Sequence, residues 1–136
     1  MKMHTTNYEN TFIEIAADSP AKTGEMPPVK GTPSVANMQF DMLYENPYKY
    51  TSDDVLFEVY ADRNEIPKSE RKHAREIFFS KGQPCFRASP LTKRYGWGVH
   101  NDEHGKIAIY ACDSPAYKKF ASDKKLKVVK AMKSAR

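Results

Sequence analysis

No stretch of about 18 uncharged apolar residues occurs in the chain, so the sequence encodes no membrane-spanning helix. It has only two cysteines, Cys85 and Cys112, far apart in sequence. A disulfide framework is neither implied nor needed, and both read as thiols. The N-terminal MKMHTTNYENTF lacks the apolar run of a secretory signal, and a cytoplasmic location is expected. The six glycines form no Walker or dinucleotide pattern, no nucleophile elbow is present, and no pair of histidines lies on a predicted helix. Internal repeats and low-complexity tracts are also missing. No chemistry is therefore dictated by motif, and neither a cofactor nor a metal is expected.

What is present is a soluble, globular balance: 40% hydrophobic and 29% charged residues in 136. A chain of that length fits a single domain that buries roughly two-thirds of the surface its unfolded form exposes. The net charge of +5 is uneven: the segment from Lys118 onward holds eight Lys and Arg against one Asp, while the first 117 residues hold 14 positive and 16 negative groups. Such asymmetry raises a nucleic-acid or acidic partner. A solvated helix face is the plainer account, so nucleic acid is the less favoured partner.

TFIEIA at 11–16 reads as a strand. DSPAKTGEMPPVKGTP at 18–33, with four prolines and two glycines, reads as a flexible surface loop. What precedes it is too short to fold alone, so the first strand must return to the main sheet. SVANMQFDMLYE at 34–45 reads as a helix with Val35, Met38, Met42, Phe40 and Leu43 on its apolar face and Ser34 or Thr32 as cap. The segment 52–63 combines a capped, acid-rich start with the strand-like VLFEVY, and is read as helix. KSERKHAREIFFSKG after Pro67 predicts a helix with Ala74, Ile77 and Phe78 on one face. CFRAS, YGWGVH and KIAIYA read as strands, the last two joined by the NDEHG turn into a hairpin over 95–111. Ser114-Pro115 opens a helix that continues as a basic C-terminal helix over 118–136. Its stripe of Leu126, Val129 and Met132 is narrow, so loss of the residues after Lys125 is expected to leave the fold intact. The sum is an α+β single domain: a small antiparallel sheet of three or four strands with helices on one face.

HTTNYENTFIEIA, VANMQFDMLYENPYKYTSDDVLFEVYADRN and FFSKGQPCFRASPLTKRYGWGVHNDEHGKIAIY together resemble an uncharacterised family of small, mostly bacterial proteins classed as a domain of unknown function. The resemblance covers nearly the whole chain. It implies a free-standing single domain and transfers no activity, cofactor or catalytic residue.

The densest chemistry lies at 80–100. Arg87, Lys93 and Arg94 supply cations, Phe86, Tyr95 and Trp97 supply flat apolar faces, and Gly96 and Gly98 flank the tryptophan. Guanidinium binds carboxylate or phosphate with a fork of donors, and an aromatic face stacks a ring. The loop at 46–54, with Tyr48 and Lys49, would complete one cleft if it lay beside YGWG. The expected function is a small cytoplasmic binding module for an anionic or ring-bearing ligand through Arg87, Lys93, Arg94, Tyr95, Trp97, Tyr48 and Lys49. The alternative for the aromatics is core, with the glycines admitting a closely packed helix. An enzyme using Cys85, with His100 as its base, is a further alternative. Against it, Cys85 at the start of an apolar strand reads as a buried, inert thiol, and Cys112 still more so. His100 and His104, with Asp102 and Glu103 between them, lie in a hairpin turn whose side chains diverge, which argues against a metal site. The sequence leaves the oligomeric state open.

Overall fold

A computed structural model describes residues 3–134. Four strands, β1 (Thr11–Glu14), β2 (Trp97–Asn101), β3 (Ile107–Ala111) and β4 (Lys127–Lys130), form one sheet in the order β3-β2-β1-β4. Five α-helices accompany it: α1 (Val35–Leu43), α2 (Ser52–Arg63), α3 (Arg71–Phe78), α4 (Pro90–Lys93) and α5 (Pro115–Ala121). The class is α+β, a single domain.

The hairpin forms where NDEHG predicts it, with Trp97 opposite Ala111, Asn101 opposite Ile107, and Gly105 at φ +76°. β1 does return to the sheet, antiparallel to β2 with Phe12 opposite His100. The sheet is mixed rather than antiparallel, because β4 runs parallel to β1 with Phe12 opposite Val128. The cause is the connection. β3 and β4 are opposite edges, and α5 carries the chain across the sheet between them.

The expected C-terminal helix over 118–136 is thus corrected. α5 ends at Ala121, and KVVK is a strand. Two β-branched valines between lysines suit a half-buried edge, and the open side of β1 outweighs the weak helical stripe. Residues 135–136 lie outside the described residues. CFRAS is corrected too: Phe86–Ala88 is a 3₁₀ turn running into α4. The signal was the Ser89-Pro90 cap, in which Ser89 Oγ accepts from the Leu91 N–H at 3.1 Å and proline fills the first helical position.

Helices cover both faces of the sheet, not one. Ile13, Val99, Trp97 and Ile107 pack with α1, α2 and α4 in the main core. On the other face Phe12 meets Tyr117 of α5 edge-on at 5.0 Å and stacks on Phe120 at 5.5 Å. Gly98 permits this approach, since a Cβ there would stand 2.5 Å from Tyr117 Cε2 and 2.7 Å from Phe12 Cζ. The helix-admitting role considered for the glycines holds at Gly98. Gly96 (φ +79°) answers a different need, as a side chain there would collide with the Thr23 carbonyl.

α1 starts at Ser34 with a reciprocal capping box involving Asn37. Its buried face is Ala36, Phe40 and Leu43 together with two amides, Asn37 and Gln39, while Val35, Met38 and Met42 are only partly buried. The ambiguous 52–63 segment is helix, capped by Thr51 and Asp54. α3 contributes no fully buried residue: Ile77 is 55% exposed, and Ala74 and Phe78 pack on a satellite cluster of Phe57, Ala61 and Phe79. The 18–33 segment carries no helix or strand, but it is pinned rather than free. Glu25 N–H donates to the Tyr95 carbonyl (2.8 Å), Trp97 Nε1 to the Glu25 carbonyl (2.8 Å), and Asn37 Nδ2 to the Pro27 carbonyl (2.9 Å).

The strand assignment of 127–130 reverses the expectation for the C-terminus. Deleting the residues after Lys125 strips β1 of a backbone ladder and exposes the contacts of Val128, Val129 and Ala131. It should lower unfolding free energy by about 3 kcal/mol or more. Unchanged chemical denaturation of the truncated protein would contradict this.

Candidate functional site

The structure separates the seven residues picked out by sequence. Lys93, Arg94 and Tyr95 do come together, at the end of α4, lining a cavity of about 350 Å³ with Ser34, Val35, Ala36, Ala88 and Pro90. This places two cations beside the N-terminal turn of α1, whose dipole also favours negative charge. The other four lie elsewhere. Arg87 Nε donates to the Lys130 carbonyl at 2.8 Å and so seals the β4 edge. Trp97 is 7% exposed, between Phe40 (5.4 Å) and Tyr44 (5.7 Å), with its N–H bonded to the Glu25 carbonyl. It fills core. Lys49 Nζ sits 5.3 Å from the centre of the Tyr50 ring.

Tyr48 lies against the opposite face of the sheet from Trp97, because Gly98 and His100 alternate with Trp97 and Val99 along β2. Its backbone is left-handed, φ +60°, held by a bond from its N–H to the Ile107 carbonyl at 2.8 Å. That conformation sets its hydroxyl 2.8 Å from His100 Nδ1 and 2.9 Å from the Tyr110 hydroxyl. The His100 ring stacks on Phe120 at 4.1 Å. Burial, then the Tyr110 hydroxyl, raises the Tyr48 pKa far above the usual tyrosine value. Burial lowers that of His100, against the opposing pull of Asp102 and Asp123. In the tautomer with Nδ1 unprotonated, Tyr48 O–H can donate to Nδ1 and accept from Tyr110. A proton on Nδ1 removes that acceptor.

Cys85 and His100 do not form the pair that an enzyme reading needs. The thiol's partner is the Tyr8 hydroxyl at 3.4 Å, and the imidazole's is Tyr48. Cys85 is also not a buried strand residue: it is half-buried in the loop before α4. Its hydrogen bond to Tyr8, followed by burial, raises the Tyr8 pKa, and Arg87 opposes this. Cys112 is likewise half-buried, with burial and then Asp113 raising its thiol pKa. In the hairpin turn, Asp102 Oδ1 accepts from the N–H groups of His104 (2.8 Å) and Lys106 (2.9 Å), so its carboxylate shapes the turn.

A larger cavity, of about 440 Å³, went unforeseen. It opens between α1, α2 and the loop at 83–90. Val35, Leu56, Val59, Tyr60, Phe78, Pro84, Ala88 and Pro90 form its apolar wall, with Gln39, Arg63, Asn64, Gln83, Cys85 and Ser89 among them. Tyr60 and Phe78 stand 4.7 Å apart at 40°. The signal in the sequence was Gln39, an amide in the stripe Val35, Gln39, Leu43 at helical spacing of four. Val35, Ala88 and Pro90 line both cavities, so a cationic chamber adjoins an aromatic one.

These features define a small α+β domain with an amphipathic double cavity, and among the described residues no helix is long and apolar enough to cross a membrane. The chain belongs to a family of unknown function (DUF6157), whose pattern it matches over residues 3–136. No curated protein and no solved structure matches it.

Two predictions follow from the sheet's two faces. Because burial depresses the His100 pKa below the ordinary 6.5, the unfolded state binds its proton more readily. Stability should rise with pH through the window just below 6.5, and His100→Asn, which keeps an acceptor near Nδ1, should flatten that rise. An identical pH slope in the variant would refute the assignment. Trp97, as core, should emit in the blue and resist iodide quenching, and ready quenching would place it at the surface.

Proposed function

We propose that the protein is a cytoplasmic binding module for a small ligand with an anionic end and an apolar ring. The observation that carries this is the shared wall of Val35, Ala88 and Pro90 between the two cavities. Lys93 and Arg94 with the first turn of α1 suit carboxylate or phosphate, and Tyr60 and Phe78 suit a flat ring. The combined space falls in the range of small-molecule sites, mostly apolar with a few polar groups. Two unpaired thiols fit a reducing compartment.

The reading keeps the ligand class expected from the sequence but moves the ring from Trp97 to the α2 and α3 aromatics. It also makes Cys85 a reporter, since its side of the larger cavity is covered when a ligand enters. Titration with 4-phenylbutyrate should shift backbone amide signals of Ala36, Val59 and Arg94 and slow iodoacetamide labelling of Cys85. Replacing Lys93 and Arg94 together by Ala should weaken binding by about 1 to 2 kcal/mol. Equal affinity in the double variant, or no protection of Cys85, would overturn the proposal.

A further inference from the structure

We infer that Gln39 is the specificity-determining donor of the larger cavity, selecting a ligand with a neutral carbonyl oxygen between its ring and its anionic end, an acyl-linked aromatic acid. This rests on the two-cavity reading above. Gln39 is 3% exposed, yet lines the cavity. Its carbonyl Oε1 is taken by the Ser89 hydroxyl at 2.5 Å, and Ser89 Oγ in turn accepts from the Leu91 N–H at 3.1 Å. The amide is therefore oriented by the cap of α4: the oxygen faces Ser89 and the NH₂ faces away from it. That NH₂ donates to none of the described residues. No fully enclosed side-chain nitrogen or oxygen among them lacks a partner, so Nε2 keeps some accessible surface, and the space that Gln39 lines is the larger cavity.

A nearly buried amide donor left unpaired is costly, and an interior glutamine on an apolar helix face has no packing advantage over methionine. Nε2 can donate to water while the cavity is open, and once an occupant displaces that water the acceptor must come with the occupant. Other amides at the site are differently engaged: Asn64 Nδ2 donates to the Tyr60 carbonyl at 2.8 Å and Gln83 Nε2 to the Phe78 carbonyl at 2.7 Å. A ligand with a methylene opposite Gln39 strips water from the donor without replacing it. One with a carbonyl there restores the bond, and sites built around such a donor discriminate strongly against the analogue lacking its partner.

The test compares hippurate with 4-phenylbutyrate, two carboxylates of equal chain length that differ in having an amide group, C=O and N–H, or two methylenes next to the ring. Hippurate should bind about threefold to tenfold more tightly, the range of one net hydrogen bond. Gln39→Met should abolish that preference by weakening hippurate alone. In the unaltered protein, hippurate should shift the assigned Gln39 side-chain NH₂ signals and 4-phenylbutyrate should leave them in place, a readout that stands even if the variant folds poorly. Equal affinities with unmoved Gln39 signals would overturn this inference while leaving the double cavity as a ring-and-anion site. Binding of neither compound would overturn both readings.

Discussion

The carboxylate of Asp53 ties the start of the chain to the rest of the fold. It sits in the first turn of α2, where the helix dipole stabilises negative charge. Its two oxygens accept from the Thr5 hydroxyl, the Thr6 N–H and the Thr6 hydroxyl, each at 2.7 Å. Thr6 Oγ1 also lies 2.8 Å from Ser52 Oγ, and the Asp53 N–H donates to Asn7 Oδ1 at 2.9 Å. Charge-assisted bonds of this kind are about twice as strong as neutral ones, and removing the carboxylate would strand several buried donors at once. They fix the residues that lead directly into β1. Everything else depends on β1, because it is an inner strand whose Phe12 and Ile13 are buried on opposite faces. TTN and TSDD, distant in sequence, are therefore one clamp.

From that clamp the same segment reaches the cavity. Tyr8, immediately after Asn7, brings its hydroxyl to Cys85, and the loop at 83–90 then forms one side of the larger cavity. The opposite side is α1, held by buried amides and not by apolar packing alone. Asn37 binds the proline loop and Gln39 binds the α4 cap. Polar ties of this sort specify one arrangement of elements, whereas apolar contacts tolerate sliding. The cavity survives because its walls are fixed by directed bonds, so the helices cannot collapse into it.

Local signals in the sequence were followed wherever the decisive partner was also local. The caps at Ser34 and Ser114 and the NDEHG turn are set by residues within a few positions and appear as read; the strand read over 11–16 spans Thr11–Glu14, and α2, whose capped start was read at Ser52-Asp53-Asp54, is capped one residue earlier by Thr51. The local sequence misleads where the deciding partner is remote. KVVK carries a helical stripe too weak to resist the open edge of β1, and Leu126, Val129 and Met132 gave no hint of that edge. CFRAS has strand composition, but Ser89-Pro90 caps a helix directly behind it. Three of the candidate residues, Lys93, Arg94 and Tyr95, share a cavity because they are consecutive in the chain. Trp97 follows closely and still points into core, since strand alternation and the Glu25 carbonyl govern it. Gln39 was legible only as a polar residue in an apolar stripe, and its meaning needed Ser89, 50 positions away.

Four cations of the basic C-terminal segment, which first suggested a nucleic-acid partner, have a structural account. Lys118 and Lys119 occupy the last turn of α5, where cations complement the helix dipole. Lys127 and Lys130 bracket β4 on the outer edge of the sheet, and Lys130 Nζ is 3.9 Å from the Glu14 carboxylate. Charged side chains on an edge strand discourage pairing with another copy's strand. Arg87 adds a second guard by bonding the Lys130 carbonyl. These cations lie along a helix end and a sheet edge because those features need positive charge there. Lys93 and Arg94 likewise close the C-terminal end of α4, and they also face the first turn of α1 across the smaller cavity. The potential in the smaller cavity is therefore positive from both sides, two fixed cations at one helix end and unpaired backbone N–H groups at another, whereas the lysines at 118–119 and 127–130 are set against a helix end and a sheet edge.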